Sequence, residues 1–157
     1  MVKRADLSHA PCPVARSLDL IGDWWSLLII RDALEGVCRF TAFQQSLGIA
    51  RGMLADRLRM LVDHGIFQSV PASDGSAYRE YRLTSKGEDL HLVVVALRQW
   101  GEAHLYGPEE PRSALVDRQR LEPVAPLTLQ AADGRALQWP ETRVLKAEPF
   151  PSPPPAR

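Results

Sequence analysis

Residues 39–65 have the sequence RFTAFQQSLGIARGMLADRLRMLVDHG, which contains two helix-like segments separated by a glycine. Thr41 and Gln44 form a capping-box pattern, which predicts that the first helix begins here. Gly48 ends this helix after about two turns, because glycine is the usual residue just beyond a helix end. A second helix is predicted over 51–64, and another glycine follows it.

The second helix has one apolar face and one polar face. Leu54, Leu58 and Leu61 recur at the spacing of side chains that pack against a core. Two helices joined by a short glycine-containing turn indicate a helix-turn-helix. The second helix of such a motif enters the major groove of DNA, so 51–64 is the candidate recognition helix.

A strand-like region follows the second helix. Apolar-alternating runs at 66–70 and 78–83 flank Asp74 and Gly75, a dipeptide that favours a hairpin turn. Residues 38–40 are predicted to add a short strand. A hairpin in this place gives the winged variant of the motif, with the wing at 70–79.

Helices are also predicted before and after this motif. Pro13 opens the first, Asp23 caps a second over 24–34 that is apolar nearly all round, and Thr84 or Ser85 caps a long third one. The predicted fold class is therefore mainly α with a small β-hairpin wing (α+β), a winged helix-turn-helix.

The composition changes towards the C-terminus, where prolines recur. We expect three parts: a flexible arm over 1–11, a globular winged domain over 12–106, and a proline-rich C-terminal extension over 107–157. Asp133-Gly134 lies between two strand-like runs and predicts a small hairpin in the extension. The end of the extension is expected to be disordered.

Size and composition narrow the class of protein. The chain has 157 residues, enough for one ordinary domain and a tail. It has no signal-peptide pattern and no apolar run long enough to cross a bilayer, so we expect a cytoplasmic protein with no membrane partner. The net charge is zero, and residues 39–82 contain six basic against four acidic side chains. Charge alone therefore gives weak support for a nucleic-acid partner.

Four segments, taken in order, resemble the HxlR family of bacterial regulators. They are CPVA (12–15) with LDLIGDWW (18–25), RFTAFQ (39–44) with LADRLRMLVDHGI (54–66), EYRLTSKGEDL (80–90), and WG (100–101). Together they span residues 12–104 at the family's spacing.

The resemblance implies a winged-helix homodimer whose first and last helices form the two-fold interface. It also implies binding to a palindromic double-stranded DNA operator, usually as a repressor. Some members respond to aldehydes, quinones or oxidants through an N-terminal cysteine, and Cys12 lies at the matching position. Longer members carry two cysteine pairs that resemble a metal knuckle. The corresponding residues 117–137 contain no cysteine, so we expect no metal there.

The candidate DNA contacts lie at the start of the first helix, on the polar face of the second, and beside the wing. They are Arg39, Thr41, Arg51, Gly52, Ala55, Asp56, Arg59 and Arg79. Arg51 follows Ala50, where the family commonly has Ser-Pro, and Asp56 replaces a common Gln. An alternative stays open, in which the arginines of this helix pair with Asp56 and Asp63 as a solvated face. Arg79 has a similar alternative, pairing across strands with a carboxylate.

Other functions have less support. No nucleophile elbow, phosphate loop, paired-carboxylate motif or metal-ligand spacing is present, so no enzyme activity, metal or cofactor is expected. Cys12, near a helix start, is a candidate for sensing an oxidant or electrophile, or a small packed side chain. The near-neutral charge and Asp56 favour one alternative function, a winged-helix module that binds protein or small molecules and has lost DNA binding.

Overall fold

The computed structural model describes residues 6–145. The part of the predicted flexible arm at 1–5 and the proline-rich end at 146–157 lie outside the described residues. The described residues divide into two compact units, one that ends at residue 112 and one that begins at residue 113.

The first unit is a winged helix-turn-helix, which confirms the predicted fold class. Its elements are α1 (Pro13–Ile21), α2 (Trp24–Leu34), α3 (Phe40–Leu47), α4 (Arg51–Asp63), β1 (Phe67–Pro71), β2 (Arg79–Leu83), α5 (Ser85–Glu88) and α6 (His91–His104). The two strands form an antiparallel hairpin in which Phe67 pairs with Leu83 and Pro71 with Arg79.

The core forms where α2, α3, α4 and the hairpin meet. Ile29 and Ile30 of α2 are fully buried, as are the three leucines predicted for the inner face of α4. Phe43 of α3 and Phe67 of β1 pack edge to face, with ring centroids 6.3 Å apart. The apolar α2 is therefore the central helix, as its composition predicts.

The helix ends of this unit follow the predicted signals in most places. The Asp23 carboxylate accepts a hydrogen bond from the Ser26 backbone N–H at 3.0 Å and caps α2. Gly48, with φ +62°, ends α3 in a left-handed conformation that glycine adopts without strain. The capping box at Thr41 is wrong, because α3 already begins at Phe40 and Arg39 is its N-cap residue.

Two other local predictions need correction. The strand expected at 38–40 is a single bridge between Arg39 and Glu80, supported by the Tyr81 N–H donating to the Cys38 carbonyl at 2.7 Å. The long helix after the wing is two helices, α5 and α6. They separate at Leu90, whose N–H bonds to the Gly87 carbonyl three residues back rather than four.

The second unit contains little regular structure in its described residues. The predicted hairpin is present as a short turn at Asp133-Gly134, closed by a bridge between Gln130 and Ala136. A single 3₁₀ turn, Trp139–Glu141, follows it. No side chain from 113 to 145 is buried, so this part has no core of its own.

Candidate DNA-binding surface

Five of the predicted contacts lie on the solvent-facing side of α4. Arg51, Gly52, Asp56 and Arg59 are exposed, and Ala55 is half-buried between them. The opposite side of the helix is anchored by the three buried leucines. One rigid helix therefore presents these side chains together to solvent.

Two arginines of α4 have different partners. The Arg59 guanidinium lies 3.2 Å from Asp56 Oδ1 on the exposed side, and both side chains are about 70% exposed (69% and 70%). Arg57 instead reaches Asp23 Oδ1, the α2 cap, at 3.2 Å. The solvated-face alternative therefore describes Arg59, whereas Arg57 joins α4 to α2.

The first turn of α4 contacts α3. Arg51 lies over the ring of Phe40, with its guanidinium carbon 5.6 Å from the ring centroid. Ala50 is the N-cap residue and makes no side-chain capping bond, as its side chain predicts. Thr41 is exposed on the first turn of α3.

Sequence reasoning missed Met53, which is 44% exposed within the first turn of α4. Its thioether chain is the kind of flexible apolar group that can contact a thymine methyl. Met53 lies beside the leucine face of α4 and not within it, so the helical spacing could have predicted that its side chain is exposed.

On the wing, Arg79 is held across the hairpin by Ser69. Its Nε donates to Ser69 Oγ at 2.8 Å, and its Nη2 donates to the Ser69 carbonyl. Its partner is therefore a serine rather than the carboxylate of the cross-strand alternative, and the side chain remains exposed.

Arg39 is tied to the loop between the strands. Its Nη2 lies 2.6 Å from Asp74 Oδ2 and 3.5 Å from Glu80 Oε1. The Arg39 guanidinium, together with hydrogen bonds from Ser76, holds the pKa of the Asp74 carboxyl well below its usual range. Arg39 is therefore part of an ion-pair network that connects α3 to the wing.

Glu80 is the centre of this network, and sequence reasoning missed it. It is only 2% exposed, and its oxygens accept hydrogen bonds from Ser73, Arg39 and Arg82. Bonds from the Ser73 backbone and hydroxyl, followed by Arg82, lower the pKa of the Glu80 carboxyl. The sequence offered one sign of this role, because Glu80 is an acidic residue at a strand position that faces inward, between Arg79 and Tyr81.

The sequence of residues 20–109 matches the family model of the HxlR-like helix-turn-helix. The chain belongs to the HxlR-like helix-turn-helix family. It is a DNA-binding transcription regulator, as the sequence resemblance predicts.

Relatives of this HxlR-family protein come from several bacteria. The HTH-type transcriptional regulator Rv3095 of Mycobacterium tuberculosis is 48% identical over 109 residues, 68% of this chain and 69% of the relative. YtfH of Escherichia coli is 30% identical over 105 residues, 66% of this chain and 83% of YtfH.

Solved structures share the fold. PA1607, a proposed transcription factor, superimposes with a TM-score of 0.85 at 51% identity, covering 90% of this chain and 99% of PA1607. The redox regulator HypR in its reduced form gives a TM-score of 0.55 at 30% identity, covering 60% of this chain and 94% of HypR.

Cys12 of this HxlR-family protein is an exposed free thiol at the N-cap position of α1. Cys38 is half-buried beside the wing network. Within residues 6–145, no three histidine, cysteine or acidic side chains are grouped as metal ligands. None of the helices in that range has the length and apolar character needed to span a bilayer.

Proposed function

We propose that this HxlR-family protein represses transcription by binding a roughly palindromic operator as a homodimer, with α4 of each protomer in one half-site. The observation that carries the proposal is the exposed face of α4. It offers two arginines, a small-residue surface and an acceptor from a helix that is anchored in the core. Half-sites one helical turn apart fit two such helices in a two-fold dimer.

The roles of the α4 side chains follow from their chemistry. Arg51, in the first turn, lies where such helices meet the groove, while Gly52 and Ala55 allow close approach. Asp56 can accept from a cytosine N4, and Arg59 can bind a guanine or a phosphate. The exposed Arg59–Asp56 pair contributes little stability, so exchanging it for DNA contacts costs little.

The remaining candidates lie on either side of α4. Thr41 is exposed for a phosphate contact, and Arg39 is 36% exposed and adds positive potential nearby. Arg79 is assigned a phosphate or minor-groove contact from the wing. These contacts position the protein on the duplex, whereas α4 distinguishes its sequence.

The homodimer is supported by apolar side chains left exposed on the first and last helices. Val14 and Leu18 of α1 are 65% and 50% exposed, and Val93, Leu97 and Trp100 of α6 are 42%, 51% and 58% exposed. In α6 they recur at helical spacing and form one stripe. Contiguous apolar stripes of this kind mark a protein interface.

Fluorescence anisotropy tests the DNA-binding part. The full chain is titrated onto a labelled fragment from upstream of its own gene and onto a scrambled fragment, at two salt concentrations. We expect specific binding that weakens with salt, because phosphates supply much of the affinity. Arg51→Ala should weaken binding about tenfold and reduce the salt slope by about one. Arg118→Ala, an exposed arginine of the extension, is the charge-matched control.

Two outcomes would contradict the proposal. If Arg51→Ala and Arg59→Ala both bind as tightly as the wild type, α4 is not the recognition helix. If the protein binds neither fragment at low salt and binds no other promoter tested, the better-supported function is a module that binds protein or small molecules.

We also propose that Cys12 senses an oxidant or electrophile. The thiol is exposed and lies two residues before Val14 of the proposed dimer interface, so a modification there would change how protomers pack. HypR, which has the same fold, is a redox regulator known in reduced and oxidised forms. This supports a thiol-based response in the present chain.

Diamide treatment tests the sensing proposal. Diamide takes two electrons and two protons from a pair of thiols and leaves a disulfide. We expect the treated wild type to change its operator affinity and Cys12→Ser to be insensitive. Cys38→Ser is the matched control and should respond as the wild type if two Cys12 thiols of a dimer are joined. Equal responses from wild type and Cys12→Ser would contradict the proposal.

A further inference from the structure

The base of the wing contains a buried carboxylate with several donors. Glu80, the second residue of β2, is 2% exposed. Its Oε1 accepts from the Ser73 hydroxyl at 2.9 Å and the Ser73 backbone N–H at 3.2 Å, and its Oε2 accepts from Arg82 Nη2 at 2.6 Å. A buried carboxylate is costly unless it is paired in this way, so its partners are held firmly.

These partners belong to different parts of the motif. Ser73 lies in the loop that joins the two strands of the wing, whereas Arg39 is the N-cap residue of α3. Arg39 Nη2 lies 3.5 Å from Glu80 Oε1 and 2.6 Å from Asp74 Oδ2, and the Arg39 backbone forms a bridge with Glu80. The Glu80 side chain therefore connects the wing loop to the N-cap residue of α3.

We propose that Glu80 is a positioning residue for DNA binding, whose buried carboxylate sets the place of the wing loop relative to α3 and α4. The inference rests on the proposed function, because it requires that wing and recognition helix bind one DNA site together. Glu80 itself is shielded from solvent and makes no DNA contact. It acts through Ser73 and Arg39, so that the wing meets the duplex while α4 is in the groove.

A purely structural role makes a different prediction. If Glu80 only balances the charge of Arg39 and Arg82 inside the fold, its loss lowers stability and weakens all DNA contacts equally. If it positions the wing, its loss removes the wing contacts and leaves those of α4. Hydroxyl-radical footprinting separates the two cases, because it reports protection at each nucleotide.

Glu80→Gln in the full chain is the test variant. The amide keeps the shape of the side chain but puts an NH₂ donor in place of one acceptor oxygen, either the one that faces Ser73 and Arg39 or the one that faces Arg82. The network therefore cannot stay intact. Glu88→Gln, on the exposed side of α5, changes the net charge equally and is the control. We expect Glu80→Gln to bind the operator about fivefold more weakly than Glu88→Gln. It should lose protection at the flanks of the site, where the wing contacts are proposed to lie, and keep protection within the two half-sites that α4 contacts.

Three results would overturn the inference. Glu80→Gln and Glu88→Gln could have equal affinities and footprints, or Glu80→Gln could lose protection uniformly across the site. The third is a wild-type footprint that shows no protection at the flanks. Wild-type protein that protects no DNA would instead remove the proposed function, and this inference with it. If Glu80→Gln does not fold, Ser73→Ala removes one donor without changing the charge. It should give the same loss at the flanks, to a smaller extent.

Discussion

Gly87 of α5 packs closely against the residues that lead into the wing. A Cβ at this position would lie 2.3 Å from the Ile66 carbonyl oxygen and 2.9 Å from Leu83 Cδ2. We expect Gly87→Ala to reduce the free energy of unfolding by about 1–3 kcal/mol, because the backbone must shift. Gly52→Ala in α4 has open space and should stabilise the fold by roughly 0.5–1 kcal/mol. Urea unfolding measures both, and equal effects would contradict the close packing at Gly87.

Single residues were predictable from sequence where the cause is local. Asp23 caps α2 because its carboxylate is the right length to reach a backbone N–H three residues on, and Gly48 ends α3 because its φ is positive. The capping box predicted at Thr41 was wrong, because the start of α3 is set by the bridge between Arg39 and Glu80, which is 41 residues away in sequence. The same long separation hid the role of Glu80.

The wing depends on carboxylates whose pKa is lowered. Asp74 is held by Arg39 and Ser76, and Glu80 by Ser73 and Arg82. A carboxyl whose pKa falls on folding stabilises the fold above its unfolded pKa, and this stability is lost as the pH falls through the folded pKa. The affected window therefore lies below about pH 4.

We expect Asp74→Asn to flatten this pH dependence. The variant has no carboxyl to protonate at position 74, so its free energy of unfolding should fall less between about pH 4 and pH 2 than that of the wild type. Some dependence remains because Glu80 still titrates below its usual range. Urea titrations at several pH values measure the two curves. Parallel curves would show that the Arg39–Asp74 pair does not stabilise the fold.

Among the elements, the predictable ones were those with a strong local period. The leucine face of α4 was predictable because its leucines recur at helical spacing, and the hairpin because Asp74-Gly75 lies between two runs of alternating apolar residues. The division between α5 and α6 was not visible. It accompanies the close packing of α5 on Ile66, which depends on the tertiary fold, and a local hydrogen bond from Leu90 back to Gly87.

On the scale of the chain, the two units differ in whether they have a buried core. The first has a continuous core from α1 to the hairpin, whereas the described residues 113–145 bury no side chain. Loss of conformational freedom costs about 1–2 kcal/mol per ordered residue, and the described residues of this extension offset it only with partly buried side chains. PA1607 is matched over nearly its whole length, so its similarity to this chain includes residues beyond the winged domain. The boundaries predicted at 106 and 107 stay a prediction.

The exposed stripe on α6 allows the homodimer to be tested directly. Leu97→Glu places a charge in the centre of the stripe, where burial against a second copy would be costly. We expect this variant to sediment as a monomer and to lose most of its operator affinity, because one half-site alone binds weakly. Leu129→Glu, a similarly exposed leucine of the extension, adds the same charge and should remain dimeric. A dimeric Leu97→Glu with unchanged affinity would place the interface elsewhere. Monomeric wild-type protein that still binds the operator would contradict the two-fold arrangement itself.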